Sequence, residues 1–418
     1  MLVAKLLFCS TLAFGSLLVL RWVQGRAGEE RILRALVVAL TIAKFPIVWL
    51  VYRFVPQINT GSDAILFYYP QVTSALEGLL PYRDFASSYS PLFTYILAPL
   101  VWVWRSVGAI ALTMLVFETA MLAIYLRHAK ARGYEPRWRI AFLYAFSPMS
   151  VYWIGLTGYN GAMLAFFAVL AFVLADRGKE VRAGVTLGLG LLSTKVLMTL
   201  FWPAIPFAYR RLGKLALGAF GISAIGFSIA SALGMDVLAP VRHEAFRESS
   251  GNVWFLLAHL LPSSLQQGAV GKWLPIVSYA VAFGGLGGWF LGRRTAPERR
   301  FDVAMAFAMV CCLLFLVLSR KSHLFYLAMM GIFIVHVVSR RELERIRIRD
   351  LVPFAVMNAL MTIEPHFWHW IRDEARPDPD IVRALVAMDA VLVACYAFYV
   401  WYGLGALGRW SEAPQGRN

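Results

Sequence analysis

Three cations of this chain interrupt long apolar runs, where a charge is costly. Lys195 interrupts GLGLLSTKVLMTLFWP, and Arg320 and Lys321 interrupt LFLVLSRKSHLFYLAMM. An ionisable group at membrane depth is by default a functional candidate. Cations there can bind and neutralise a phosphate group. A lipid phosphate would place its headgroup at that depth while its tail stays in the bilayer.

Asp63, in the stretch GSDAILFYYP, is the carboxylate that could complement these cations. A carboxylate at the membrane surface can act as a general base toward a hydroxyl group. A helix could also begin here, so helix capping is the competing interpretation of Asp63. For Lys195 the competing interpretation is a side chain that snorkels to the interface.

Other polar and aromatic residues lie near these positions and could bind a sugar or its acceptor. The aromatic rings could stack on a sugar, or they could form the interfacial belt common in membrane proteins. Lys44 falls in the middle of an apolar run, and no role is predicted for it. The candidate sugar- or acceptor-binding residues are Tyr68, Tyr69, Arg83, Asp84, Tyr89, Asn160, Arg242, His243, Glu244 and His323.

The composition predicts that these residues belong to a membrane-embedded helical domain. Of 418 residues, 60% are hydrophobic and 15% are charged, whereas soluble domains carry about a quarter charged residues. Apolar runs of roughly 15–22 residues, close to the length of a membrane span, recur along the chain. We therefore predict one membrane-embedded domain over residues 1–418. The net charge of +16 lies in short loops between apolar runs, so no nucleic-acid partner is predicted.

The basic loops predict the orientation of the helices. The Arg- and Lys-rich loops 21–34, 127–139, 210–214, 293–300 and 340–349 are placed in the cytoplasm. The loop after the apolar run 35–55 would then lie outside and the loop 127–139 inside, so the chain must cross an odd number of times between them. Two apolar runs, 91–104 and 108–126, lie in this interval, so one of them should not cross. The first is short and begins with proline, so we predict a re-entrant or interfacial helix. About thirteen crossings result, with outer loops at 56–107 and 235–272.

The stretch SDAILFYYPQVTSALEGLLPYRDFASSYSPLFTYILAP resembles the first outer loop of GT-C-fold glycosyltransferases. Within them it is closest to the catalytic subunit of GPI mannosyltransferase I and its bacterial multi-pass mannosyltransferase-like relatives. The shared features are Asp63 with aromatics behind it, Gly-x-x-Pro-Tyr at 78–82 and Tyr-x-Pro-Leu at 89–92. Later matches follow in order at Ser147-Pro148-Met149, Gly158 and Asn160, Lys195, Arg242-His243, and Lys321 before Phe325-Tyr326.

The resemblance implies an all-α transmembrane bundle of GT-C type, with interfacial helices in the first outer loop. Residues 35–340 would form the catalytic core, and 341–418 would form C-terminal helices. The implied reaction is inverting transfer of a hexose, with mannose expected first, from a polyprenyl- or dolichyl-phosphate donor. Asp63 would be the catalytic base, and Lys195, Arg320 and Lys321 would bind the donor phosphate.

The resemblance also implies partners and a place in the cell. The acceptor would be a glycolipid or glycan at the outer membrane face, and eukaryotic members of the family work with a small accessory subunit. The family's first loop often carries Asp-x-Asp, but Ile65 stands at the second position here. The cofactor prediction therefore stays open between none and Mg²⁺ or Mn²⁺. Compact loops favour a bacterial plasma (inner) membrane over the endoplasmic reticulum.

Two other functions suit a multi-pass chain with intramembrane charges. A transporter or lipid flippase is the main alternative, but the chain shows no internal symmetry of the kind common in transporters. A polymerase or ligase of lipid-linked glycans is the third hypothesis. The two modest outer loops, with Asp63 in the first, favour the transferase.

Overall fold

The computed structural model describes residues 2–55, 62–134, 137–209, 212–244, 248–260, 269–341, 347–373 and 378–411. Every regular element in these ranges is helical. The α-helices of the first half are α1 Leu2–Val23, α2 Glu29–Phe54, α3 Tyr69–Leu76, α4 Phe93–Val103, α5 Val107–Ala131, α6 Arg137–Ala145, α7 Gly161–Asp176, α8 Glu180–Ser193 and α9 Ala204–Tyr209. Those of the second half are α10 Gly213–Ala232, α11 Ala239–Glu244, α12 Val253–Leu260, α13 Ala269–Leu291, α14 Arg300–Leu318, α15 Gly331–Arg341, α16 Ile348–Leu360, α17 Glu364–Asp373 and α18 Pro379–Trp410.

Shorter helical segments of other geometry stand between these helices. Two are π-helical, Ala64–Tyr68 and Met149–Leu156. The 3₁₀ segments are Val196–Phe201, Pro297–Arg299 and Leu324–Met329. Contacts divide the chain into two compact units. One unit contains Met1–Trp22, Arg247–Leu327 and Phe333–Asn418, and the other contains Val23–Phe246 and Ala328–Ile332.

Seven of the described helices are long and apolar enough to cross a membrane, which identifies an integral membrane protein. The count becomes eight if the bent pair Met149–Leu156 and Gly161–Asp176, which meet at 115°, is one span. The described part of the chain therefore does not confirm about thirteen crossings. Helix α4 has only 11 residues, or about 16 Å at 1.5 Å per residue. This length is too short to cross the bilayer and agrees with the predicted interfacial or re-entrant helix.

Glycine brings α8 and α10 together in the Val23–Phe246 unit. A Cβ atom on Gly184 would collide with the carbonyl oxygen of Leu215, and one on Gly218 would collide with that of Val181. Small residues at such positions let two membrane helices approach backbone to backbone. This contact matters for the site because Lys195 follows the C-terminal end of α8.

Lys44, for which the sequence offers no role, is buried with Glu118. Its Nζ donates to Glu118 Oε2 at 3.0 Å and also to Ser150 Oγ. The pair joins α2 to α5 and to the π-helical segment Met149–Leu156. A buried ion pair is tolerated when both charges have hydrogen-bond partners.

Helix α18 begins at the Asp378-Pro379-Asp380 sequence. The Asp378 side chain accepts a hydrogen bond from the Asp380 N–H at 2.8 Å, and Pro379 occupies the first turn. Both features are typical of helix starts. Helix capping therefore explains why two aspartates stand two positions apart at 378 and 380.

Candidate active site

Asp63 stands at the start of the π-helical segment Ala64–Tyr68, but its side chain makes no capping hydrogen bond. Its Oδ2 instead accepts a hydrogen bond from the Tyr89 hydroxyl at 3.2 Å. The interpretation of Asp63 as only a helix cap is therefore wrong. The half-buried carboxylate is held by a residue of the same inter-helix segment, between α2 and α4.

Tyr89 forms the centre of this cluster. Its ring stacks on Phe93 at a centroid distance of 4.4 Å and meets the edge of Tyr68 at 4.9 Å. Burial, and then the nearby Asp63 charge, raise the pKa of Tyr89 well above its usual range. The hydroxyl therefore stays protonated near neutral pH and donates to the carboxylate.

Lys195 lies against the face of the same tyrosine. Its Nζ is 4.2 Å from the centre of the Tyr89 ring, and the residue is only 8% exposed. This is cation–π geometry, which is strongest where water is excluded. Asp63 and Lys195 thus contact one tyrosine, the first at its hydroxyl and the second at its ring.

Backbone hydrogen bonds hold Lys195 at this position. After α8 ends, the backbone of Lys195 is extended. The Ser90 N–H donates to Thr194 O at 3.0 Å, and the Leu92 N–H donates to Leu192 O at 2.9 Å. The end of α8 is therefore fixed to the segment that follows Tyr89.

The break between the π-helical segment Met149–Leu156 and α7 brings Gly158 against Ala64, the residue that follows Asp63. Gly158 has φ +68°, and a Cβ on it would lie 3.4 Å from the Cβ of Ala64. Asn160 is fully buried, and its amide has no hydrogen-bond partner among the described residues. Such a buried unpaired amide is uncommon in folded proteins.

Two side chains of α2 hold the ends of that π-helical segment. Lys44 binds Ser150 near its start, and the Tyr52 hydroxyl donates to Leu156 O at 2.6 Å. The sequence analysis missed Glu118, the partner of Lys44. The available signal was a second, opposite charge in another apolar run.

Arg83 and Asp84 close the loop of the Gly-x-x-Pro-Tyr motif. Asp84 Oδ2 accepts from the Leu80 N–H at 2.8 Å and pairs with Arg83 at 2.8 Å. This ion pair lowers the pKa of Asp84. Tyr82 has φ +63°, a conformation that side chains seldom adopt. These contacts give both charges a structural role, and sugar binding by them stays a prediction.

The remaining candidates are less closely tied to Asp63. Tyr68 is buried beside Tyr89, and Tyr69 is half-buried at the start of α3. Arg242 pairs with Asp236 on an exposed surface, with no described contact to the Asp63 cluster. The side chains of His243 and Glu244 lie outside the described residues.

Arg320, Lys321 and His323 belong to the other unit. Arg320 pairs with Glu248 at 3.3 Å, the Lys321 N–H donates to Ser319 Oγ at 3.1 Å, and His323 stacks on Phe325. Phosphate binding by the two cations therefore stays a prediction. In the described ranges, no group of three or more His, Cys, Asp or Glu side chains could hold a metal ion.

Comparison with known proteins gives only a distant likeness. No family model matches the chain, and no curated protein does. The structure is similar to ArnT from Cupriavidus metallidurans bound to undecaprenyl phosphate, with TM-score 0.48, 13% identity, and coverage of 89% of this chain and 78% of that chain. ArnT from the same organism in the apo state gives a TM-score of 0.46 and 13% identity, with coverage of 89% of this chain and 77% of that chain. A likeness this distant assigns neither a substrate nor a site residue.

Proposed function

We propose that this chain is a membrane glycosyltransferase that moves a sugar from a polyprenyl-phosphate donor to a hydroxyl of a glycolipid or glycan acceptor. The observation that carries this proposal is the arrangement of Asp63 and Lys195 around Tyr89. A base for a hydroxyl and a cation for a phosphate are the two groups that such a transfer needs.

The contacts of Asp63 suit the role of general base. Tyr89 holds Oδ2 by a hydrogen bond, which leaves Oδ1 to accept the proton of the acceptor hydroxyl. The hydroxyl oxygen forms a bond to the anomeric carbon while the bond from that carbon to the phosphate oxygen breaks. The electron pair leaves with the lipid phosphate, and a single displacement of this kind inverts the anomeric configuration.

Lys195 is proposed to neutralise the negative charge that develops on the leaving phosphate. Its ammonium group is largely shielded from water, and such a site strengthens the attraction between opposite charges. The roles predicted for Arg320 and Lys321 toward the phosphate, and for Tyr68, Tyr69 and Asn160 toward the sugar, are part of the same proposal.

The finer features of the proposal come from the motifs of the first outer loop. They favour a hexose, with mannose first, and an active site at the outer face of a bacterial plasma membrane. They also favour a GT-C-type bundle, with more crossings than the described spans supply.

The test is sugar transfer by the purified protein in nanodiscs. Polyprenyl-phosphate mannose is supplied with a panel of glycolipid acceptors, and glycosylated product and released polyprenyl phosphate are measured by mass spectrometry. Asp63→Asn keeps an oxygen for the Tyr89 hydroxyl but loses the base. We expect transfer to fall by about 100-fold or more, the usual contribution of a general base.

Glu77→Gln is the matched control, because Glu77 is an exposed acid of the same loop. It should transfer like the wild type. Full transfer by folded Asp63→Asn would refute the assignment of the base. If several lipid-phosphate sugars are not consumed while lipid or solute crosses vesicles, the transporter hypothesis replaces this one.

A further inference from the structure

Two carboxyl groups lie buried together in the unit that contains Arg247–Leu327, apart from the Asp63 cluster. Glu364 begins α17 and is 2% exposed, and Asp389 in α18 is 0% exposed. Each accepts a hydrogen bond from one of two neighbouring residues of the same loop. No basic side chain of the described residues pairs with either acid. Two adjacent buried negative charges without a cation are strongly unfavourable.

The loop of residues 249–252 binds both acids. The Gly251 N–H donates to Asp389 Oδ2 at 2.9 Å, and the Ser250 hydroxyl donates to Glu364 Oε1. Gly251 has φ +78°, which suits glycine alone without strain. The two acids therefore hold neighbouring residues of one buried loop.

The same loop holds the backbone in front of Lys321. The Ser249 N–H donates to Arg320 O at 2.9 Å, and the Trp254 indole N–H donates to Leu318 O at 2.6 Å. The Asn252 amide donates to Ser249 O at 2.7 Å and keeps the loop folded. A change at the two acids would therefore reach the peptide of Arg320 through the loop.

One atom shows what compensates the charge. Asp389 Oδ1 is buried and has no hydrogen-bond donor among the described residues. A proton bound to one of the two carboxyl groups would remove one of the two negative charges, and Asp389 Oδ1 has no donor that the proton would displace. Tyr396, also fully buried and two turns further along α18, adds no positive charge.

We propose that one of the two carboxyl groups of Glu364 and Asp389 carries a proton, and that this carboxyl latch holds the 249–252 loop on the backbone of Arg320. The two acids are positioning residues. Their importance for catalysis rests on the proposed function, in which Arg320 and Lys321 bind the donor phosphate. The latch itself does not depend on that reaction.

The surroundings of Glu364 fix the direction of the pH effect. Burial raises the pKa of Glu364 from 4.5 to about 7, and the Ser250 hydrogen bond opposes this shift. The folded state thus keeps a proton that the unfolded chain has released. The latch is intact below pH 4.5 and weakens as the pH rises through about 7.

Other ionisable side chains of the packed helices do not compensate the pair. None of them contacts either carboxyl group in the described structure. They include Lys5 and Cys9 on α1, His259 on α12, Asp302, Cys311 and Cys312 on α14, Asp350 on α16 and His366 on α17.

Hydrogen exchange of the purified full-length protein tests the latch without any substrate. Exchange of peptide amides in residues 248–260 is followed by mass spectrometry from pH 6 to pH 9 and corrected for the intrinsic pH dependence. Protection in the wild type should fall by about tenfold or more over this range, since one pKa unit corresponds to a tenfold change in proton affinity. The double variant Glu364→Gln with Asp389→Asn carries no titrating carboxyl group there and keeps oxygens for the Ser250 hydroxyl and the Gly251 N–H, so its protection should not change with pH.

Asp378→Asn is the matched control, because Asp378 lies on the exposed start of the same helix. It should show the pH response of the wild type. Protection in the wild type that stays constant, or a wild-type response in the double variant, would overturn the proposal. A latch that behaves as expected in a protein without sugar transfer would refute only the proposed function. If transfer is present, the double variant should also move the alkaline limb of the transfer rate to higher pH.

Discussion

Tyr89 contacts Asp63 and Lys195 by different parts of its side chain, so two substitutions can separate the contacts. Tyr89→Phe removes the hydroxyl that donates to Asp63 at 3.2 Å and keeps the ring. Hydrogen bonds to charged groups contribute about 1.5–3 kcal/mol, and this one is long, which places it at the lower end. We expect kcat/KM to fall about tenfold, since about 1.4 kcal/mol is a factor of ten.

Tyr89→Leu also removes the ring that Lys195 faces at 4.2 Å. A desolvated cation–π contact is worth about 2 kcal/mol, or a further factor of about 30. Because Lys195 is proposed to bind the phosphate, this second loss should include a weaker affinity for the lipid-phosphate donor. Tyr89→Phe should leave that affinity close to the wild type.

The assay is the initial rate of transfer in nanodiscs at varied donor concentration, with thermal unfolding to confirm that each variant is folded. Tyr95→Phe is the control, because Tyr95 is 38% exposed on α4. Wild-type activity in Tyr89→Phe would refute the coupling of Tyr89 to the base. Equal losses in the two Tyr89 variants would refute the role of the ring.

Two further predictions concern stability. Gly184→Ala should destabilise the protein by about 1–3 kcal/mol, as overpacking does, because its Cβ would meet the Leu215 carbonyl. Gly221→Ala on α10, where a Cβ meets nothing within 4 Å, should leave thermal unfolding unchanged, and equal effects would contradict the close helix contact. Lys44→Met should cost about 3–5 kcal/mol because Glu118 is left buried and unpaired. Adding Glu118→Gln should restore much of the loss in thermal unfolding, and no restoration would show that the pair is not the cause.

The sequence predicted those parts of the site that depend on local motifs. Asp63, Tyr89 and Lys195 were all candidates, and the loop charges, together with the shortness and initial proline of the run at 91–104, indicated that the segment at α4 does not cross the membrane. Their joint arrangement required the fold, because the contact between Lys195 and Tyr89 depends on how α8 ends. Asp63 and Lys195 each had two competing interpretations, and no local sequence pattern shows that both residues contact Tyr89.

Other contacts could not be predicted because the partners are far apart in the chain. Lys44 and Glu118 are separated by 74 positions, and Gly251 and Asp389 by 138. The described residues contain fewer spans than the predicted number of crossings, and hydropathy alone does not detect where an apolar run is interrupted. The apolar run at 140–156, for example, is divided between α6 and a separate π-helical segment.

The Lys44–Glu118 pair has a consequence for how the chain is made. Lys44 enters the bilayer on α2, while its partner lies 74 positions later. At about 5–20 residues per second, a ribosome needs roughly 4 to 15 s to reach Glu118. During that interval Lys44 carries an insertion cost of about 2.5–3.5 kcal/mol without its acid. The insertion free energy of the apolar residues of α2 must offset this cost. Helix α2 therefore stays in the membrane or in the insertion machinery, with Lys44 unpaired, until α5 has been synthesised.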